Sequence, residues 1–469
     1  MVLISPDDFT DWSYEQKMPN QTTNFSELRA GLDLSIVGRE IFALIRELYP
    51  ICRSITGDGF RQTLARLKKE IPLEEHEVAS GTQVFDWTVP REWNIRDAYV
   101  KNSHRERVID FRRHNLHVVN YSIPVHRKMS LAHLRPYLHT LPEQPDLIPY
   151  RTSYYTENWG FCLPHRQLEE MPEDDYDVCI DSTLHDGHLT YGECLLKGAS
   201  TEEVLISCHA CHPSLCNDNL SGVSVATFLA KHLAKVRLHY SYRFLFIPGT
   251  IGSITWLSLN EDRTSAIRHG LVLTCVGDSG LVTYKKSRQG NAVIDRAVIQ
   301  VLKHSGQAYD IHEFSPYGYD ERQYCSPGFN LPVGCFMRTP HGRFPEYHSS
   351  ADNLELMQPA SLADSLAKCL AAFYILENDD AYLNQNPRCE PQLGRRGLYR
   401  PTGGHQDEKL QETAMLWVLN QCDGTHSLLD IAERSGLAFD IIKDAADKLL
   451  HHELLKPCGQ AESGALHTT

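Results

Sequence analysis

Apolar positions along the chain recur first at a helical period and then at a strand period. Between Ile36 and Tyr49 they fall at 37, 41, 44, 45 and 48, one face of a helix. Arg53-Ser54-Ile55-Thr56-Gly57-Asp58-Gly59 breaks that face with a turn, and Phe60–Glu70 starts a second helix carrying Leu64 and Leu67. From Glu75 to Glu193 short alternating runs (Val84–Trp87, Val108–Phe111, His117–Val119, Tyr150–Tyr154) predict a small β-rich insertion, with Pro136–Pro149 as loop. Val178–Leu184 and Leu189–Leu195 flank Asp186-Gly187, which predicts a hairpin. Between 196 and 388 the two periods alternate. Val204–Ile206, Tyr242–Ile247 and Leu271–Val276 read as strands; Val223–Leu233, Ile294–His304 and Ser361–Asn378 read as helices. The pattern predicts an α/β domain built from 34–74 and 196–388, interrupted by a β-rich insertion domain over 75–195.

Outside those bounds polarity rises. Residues 1–33 are polar and turn-rich and predict an arm; 389–407, with a Pro-Thr-Gly-Gly run, predict a linker. Residues 408–460 hold three amphipathic units. These are Leu410–Leu419, then Leu428–Arg434 capped by Ser427 after an Asp423-Gly424 turn, then Phe439–His452. Leu454-Leu455 starts a strand, and 461–469 is a tail. This layout resembles a winged-helix or peptide-recognition module. It has no basic stripe, which sets DNA binding aside. Its expected uses are docking a peptide or carrier protein, or packing on the α/β domain.

The formal charge of −14 argues against a nucleic-acid partner. No apolar run approaches the length of a membrane span, and the acidic N-terminus lacks the basic and apolar regions of a signal peptide. A cytoplasmic homo-oligomer with no membrane partner is the expectation. Cys179, Cys275, Cys335 and Cys369 sit inside apolar runs, as reduced core thiols do in a reducing compartment.

Candidate chemistry gathers in Val204–Leu229. A strand run ends in His209 and His212, and Asn217-Asp218-Asn219-Leu220-Ser221-Gly222 leads into the next helix. Open α/β sheets place their chemistry at the carboxyl ends of strands, and His with Asp are ligand types that Zn²⁺ takes. The plain alternative is a loop histidine and an Asn/Asp turn feeding a helix cap. A structural zinc site on Cys208, Cys211 and Cys216 is a rival, though its C-x₂-C-x₄-C spacing lacks a second pair. Later strand runs end at Pro248-Gly249-Thr250 and Gly277-Asp278, and Phe344–Asn353 adds Glu346, Tyr347, His348 and Asp352.

Several longer segments carry a resemblance: Leu48–Gly59, Phe85–Trp93, Asn115–Pro124, Ile148–Cys162, Cys211–Gly222, Asp320–Gly328 and Glu346–Asn353. Over about residues 35–400 the chain resembles a bacterial aminopeptidase-like family of the co-catalytic zinc aminopeptidase clan, associated with polysaccharide or natural-product biosynthesis. The resemblance implies a mixed sheet flanked by helices and one or two Zn²⁺ ions, with Mn²⁺ or Co²⁺ as substitutes. It implies Asp218 as bridging carboxylate, His348 as ligand to one metal, and His212 with Asp278 on the other, His209 being the alternative to His212. The implied reaction is hydrolysis of a small aminoacyl or peptidyl conjugate.

The chain departs from the family in two places. The Asp expected two residues after the first histidine is replaced by Cys211 or Ser214, depending on register. More consequentially, Gly249 stands in Pro248-Gly249-Thr250-Ile251-Gly252-Ser253 where the family has Pro-Glu-Thr-Ile-Gly-Ser. That Glu is the expected general base or metal ligand. Either hydrolysis is lost, or Glu321 or Glu346 substitutes, or the chain is an inactivated form. Asp320 and Glu321 suit a substrate ammonium and Arg322 a carboxylate; Arg53 and Tyr347 are further candidate substrate contacts. The aromatics Trp87, Trp93, Tyr121, Tyr154, Tyr155, Trp159 and Phe161 read as the core of the insertion, or as a wall gating substrate. Two other outcomes stay open: a non-catalytic binder of a peptide or carrier, and a metal-dependent acyl transferase or cyclase.

Overall fold

A computed structural model describes residues 23–398 and 406–458. It opens with helices α1 (Phe25–Gly31), α2 (Leu34–Leu48) and α3 (Asp58–Leu67). The expected arm is partly ordered structure. Asn24 caps α1 in a capping box, and Phe25 lies edge-on to Tyr374 at 5.9 Å. Residues 1–22 of that arm lie outside the described residues. Helix α2 buries Val37, Ile41, Leu44, Ile45 and Leu48, the face its spacing predicts.

Eight strands form the central sheet: β1 (Glu74–Ala79), β2 (His188–Leu196), β3 (Glu203–His209), β4 (Ser241–Ile247), β5 (Ile267–Leu273), β6 (Val282–Lys285), β7 (Tyr309–His312) and β8 (Val333–Met337). Their order is β1-β2-β4-β3-β5-β8-β6-β7. The inner strands β4, β3, β5 and β8 run parallel, so their carboxyl ends share one edge. Strands β3 and β4 are buried almost throughout, which is why they read as continuous apolar runs and not as alternation. Helices α4 (Gly222–Leu233), α5 (Ile251–Leu259), α6 (Val293–Lys303) and α7 (Pro359–Asn378) flank the sheet. Helix α7 is long and apolar enough to cross a membrane by length and composition. It packs against α2, α4 and α6 inside the domain, as a core helix.

The insertion is a four-stranded antiparallel sheet, in the order Arg107–Asp110, Glu92–Lys101, Asp175–His185, Val125–Ser130, with its own core around Val100, Ile109, Phe161, Tyr176 and Val178. Two expectations change. β1 and β2 belong to the central sheet, so the insertion spans 80–187, not 75–195. The hairpin at Asp186-Gly187 does not form: Asp175–His185 pairs within the insertion, whereas β2 pairs with β1 and β4. The turn's donors are taken by other partners, Gly187 N–H by Ser80 Oγ and His188 N–H by the Glu92 carboxylate. Tyr150–Tyr154 is also no strand, only loop with an isolated bridge from Thr152 to Asn120.

At the C-terminus, Ala381–Asn384, Asp423–Ser427 and Leu455–Pro457 form a three-stranded sheet with helices α8 (Gln406–Gln421), α9 (Leu428–Ser435) and α10 (Phe439–His451). Its first strand precedes the expected linker, so the module begins before 408. Asp423-Gly424 opens a strand instead of a turn. Ser427 caps α9 as expected. The module packs on the α/β domain: Arg296 of α6 pairs with Asp430 and Glu433, and Gln300 donates to the Leu437 carbonyl. Residues 399–405 and the tail 461–469 lie outside the described residues.

Candidate metal centre

His209 ends β3, and the chain turns through Cys211 to bring His212 to the same point. Ahead of α4 the backbone leaves helical geometry at Asp218 (φ −109°, ψ 80°) and Asn219 (φ −146°, ψ 32°), which turns Asp218 back toward the sheet. Asp352 fixes this loop: its carboxylate accepts the N–H groups of Asn217 (2.5 Å) and Asp218 (3.0 Å). The Asn219 amide nitrogen donates to the carbonyls of His209 and Leu273 at 3.1 Å, and its oxygen accepts from Cys275 N–H, clasping two strand ends. His348 adopts φ 55° and gives its carbonyl to Tyr150 N–H at 2.8 Å, so the insertion grips the late loop.

Three imidazoles converge on the Asp218 carboxylate. His209 Nε2 lies 2.8 Å from Oδ1, His348 Nε2 3.0 Å from Oδ2, and His212 Nδ1 3.4 Å from Oδ2. His209, His212 and Asp218 are buried and offer ligand atoms all within 4.8 Å of one another. Burial alone would raise the Asp218 carboxyl. The surrounding histidines, His212 foremost, overcome that and hold it well below the usual range. Burial pushes His209 down to about 4, against the pull of Asp218, so its ring is neutral at pH 7. This donor set fits zinc. It offers imidazole nitrogens and an ionised carboxylate at separations near the ~3.3 Å expected between tetrahedral ligands about 2.0–2.1 Å from the ion.

Aromatic rings close the centre. Tyr150 is edge-on to both His212 (5.0 Å) and His348 (5.2 Å), and Tyr347 stacks on His348 at 3.9 Å. Tyr319 lies over His209 at 3.8 Å, with its hydroxyl 3.2 Å from His212 Nε2. His348 keeps 36% of its side chain exposed.

Sequence candidates divide in two. Asp218, His212, His348 and the alternative His209 all meet. Asp278 does not join them: its oxygens accept from Asn217 Nδ2, Gly280 N–H, and Thr339 N–H and Oγ1. It supports the Asp218 loop through Asn217. Glu321 is no substitute for a carboxylate at 249, because it is fully buried in an ion pair with Lys285. Glu346 is half-buried, and its carboxylate has no hydrogen-bond or ion-pair partner among the described residues.

The expected substrate contacts mostly fail on burial. Asp320 is wholly enclosed, and burial pushes its carboxyl up to about 7. Ser253 Oγ has one proton between Asp320 Oδ1 (2.6 Å) and the Thr250 carbonyl (2.8 Å), an arrangement that a protonated Asp320 satisfies. Arg53 is fully buried as a prop, donating from Nε to the His212 carbonyl (3.0 Å) and from Nη1 to the Leu48 carbonyl (2.6 Å). Arg322 is exposed, with no ion-pair partner among the described residues. Only Tyr347 lines the centre. Sequence reasoning missed Tyr150, Tyr319, Asn217 and Asn219; the polar Asn-Asp-Asn run was the one available signal for the last two.

A family model described as a domain of unknown function, DUF4910, matches residues 42–379, and one described as a winged helix-turn-helix matches 380–457. A Clostridium acetobutylicum protein provisionally named a polysaccharide biosynthesis protein with aminopeptidase-like domain is 58% identical over 422 residues, covering 90% of this chain and 97% of that protein. A crystal structure from the same species, provisionally named a peptidase, has a TM-score of 0.89 at 55% identity, covering 93% of this chain and all of that one. A zinc aminopeptidase of Bacillus subtilis shares the fold with a TM-score of 0.54 at 11% identity, over 72% of this chain and 95% of its own. The chain belongs to the DUF4910 family, an aminopeptidase-like α/β domain followed by a winged helix.

Proposed function

We propose that this chain is a zinc-dependent amide hydrolase of aminopeptidase type, acting in the cytoplasm on a small aminoacyl or peptidyl conjugate of a biosynthetic pathway. The observation that carries this reading is the convergence of three histidines on one buried, ionised carboxylate at the carboxyl ends of parallel strands. The name of the Clostridium relative supports the biosynthetic setting.

His212 and Asp218 would hold one cation, with His348 reaching the same carboxylate oxygen and His209 bonded to the far one. Neither Asp278, already satisfied, nor Gly249 offers ligands for a second. Zinc there supplies carbonyl polarisation and a nucleophile at neutral pH. Tyr150 and Tyr347 orient the histidines and exclude water. Glu346, two residues before His348 and with no carboxylate partner among the described residues, would take a proton from the attacking water and pass it to the leaving nitrogen as the amide C–N bond breaks. The winged helix docks a peptide or carrier protein, and the enzyme works as a homo-oligomer.

A second reading has its own observation. Gly249 supplies no carboxylate, and a glutamate there has no room beside Tyr319, which favours a centre that binds a peptide without cutting it. Metal analysis and a panel of aminoacyl amides separate the two. Chelator-sensitive hydrolysis is expected, with Glu346→Gln lowering kcat by about 10²–10⁴-fold at unchanged zinc content. Zinc retained with no turnover on any amide would favour the binder, and a protein that takes up no zinc would end the metal reading.

A further inference from the structure

The hydroxyl of Tyr319 has no part in the reaction described above, yet it rests on a histidine of the cation site. A Cβ built on Gly249 would lie 2.1 Å from Tyr319 Cε1, so the ring stands where a side chain at 249 would begin. The ring lies over His209 at 3.8 Å. Its backbone is tied down as well. Tyr319 N–H donates to the Glu321 carboxylate at 3.0 Å, and Lys285, the ion-pair partner of Glu321, donates to the Tyr317 carbonyl at 2.9 Å.

We propose that Tyr319 is the positioning residue of the cation site, and that Gly249 is the space that admits it. The hydroxyl lets His212 change tautomer and present Nδ1 to a cation held with Asp218. This inference rests on the cation site proposed above. With no cation bound, His212 Nδ1 faces two acceptors, the Asp218 carbonyl at 3.2 Å and its Oδ2 at 3.4 Å, so the ring proton sits on Nδ1. Giving the Nδ1 lone pair to a cation moves the proton to Nε2, where a buried N–H needs an acceptor. The Tyr319 hydroxyl is 3.2 Å away; a phenol donates to Nε2 in the first state and accepts from it in the second. The cation displaces the Nδ1 proton to water, and the phenol passes its own proton to Nε2 while taking one from water, so the ring carries as many protons after as before.

His209 has no such partner. Its Nδ1 faces the Asn219 amide nitrogen at 3.3 Å, whose hydrogens already go to the His209 and Leu273 carbonyls. A proton on Nδ1 would meet a donor, so Nε2 keeps its proton and gives it to Asp218 Oδ1. The two histidines that look interchangeable in sequence are therefore distinct: His212 binds the cation and His209 orients the carboxylate.

Zinc titration calorimetry on the full-length metal-free protein tests this, together with nitrogen-15 histidine NMR of the zinc-loaded form. Tyr319→Phe keeps the ring on His209 and removes only the hydroxyl. It is expected to weaken zinc binding by about 10–100-fold and to abolish the slow-exchanging His212 Nε2–H signal, with the melting temperature of the metal-free protein unchanged. Gly249→Ala adds one methyl against the ring and His209 Cβ and is expected to weaken zinc binding in the same direction. Tyr319→Phe binding zinc as tightly as the parent, while Tyr319→Ala does not, would reduce the residue to packing and overturn the proposal. Failure of the parent protein itself to bind zinc overturns both this proposal and the cation site beneath it, and is seen before any variant is compared.

Discussion

Asp320 is a residue whose chemistry burial rewrites. Its folded pKa of about 7 lies above the ordinary 3.8, so the folded chain keeps a proton that the unfolded chain releases between those values. Its penalty on stability is absent below about pH 4, grows as pH rises, and is complete above about pH 7. Asp320→Asn is therefore expected to stabilise the fold at pH 8 by on the order of 1–4 kcal/mol and to be near neutral at pH 4, read from denaturant titrations at both values. Gly249→Glu has the opposite sign: its side chain would run into Tyr319 and His209, costing about 1–3 kcal/mol as overpacking. It is expected to lower the melting temperature without raising turnover. At this scale the cluster of His209, His212, Asp218 and His348 was legible, because few residue types suit such chemistry and the first three follow one strand run. Asp278, Asp320 and Arg53 were misassigned because charge alone does not say which way a side chain faces. Each is turned toward a group distant in sequence: Thr339 for Asp278, Ser253 for Asp320 and the His212 carbonyl for Arg53.

Among elements, the pin under the Tyr319 loop carries the largest single cost. Lys285 at the end of β6 meets Glu321, both nearly fully buried. Lys285→Met leaves that carboxylate enclosed and unpaired, with an expected loss of about 3–5 kcal/mol; Lys285→Met with Glu321→Leu is expected to recover much of it. Chemical denaturation of the single and double variants reads the difference. Helices and inner strands were legible because their faces are set locally, by apolar spacing in α2 or continuous burial in β3 and β4. The Asp186-Gly187 hairpin was not, since partners for the strands on either side come from Glu92–Lys101, β1 and β4, and no local turn signal contains them.

For the whole molecule, the winged helix is held by its core and not by its ion pairs. Arg296 and its partners Asp430 and Glu433 are partly exposed, so Arg296→Ala is expected to cost no more than about 1 kcal/mol. Ile442, fully buried within the module, is expected to cost about 2–5 kcal/mol as Ile442→Ala, seen as a lower melting temperature. The module's early boundary was hidden because its first strand, Ala381–Asn384, is too short to announce itself and pairs with residues far downstream. The seam between insertion and sheet has a different consequence. Ala79 and His188 face each other across the antiparallel β1–β2 ladder, so everything from 80 to 187 leaves and re-enters through one neck. Evolution, or a protein engineer, can exchange that whole cap without disturbing the register of a single inner strand. Val84, Val89, Trp93 and Tyr121, lent to the core below, and Tyr150, which holds the His348 loop, have to be matched by any replacement.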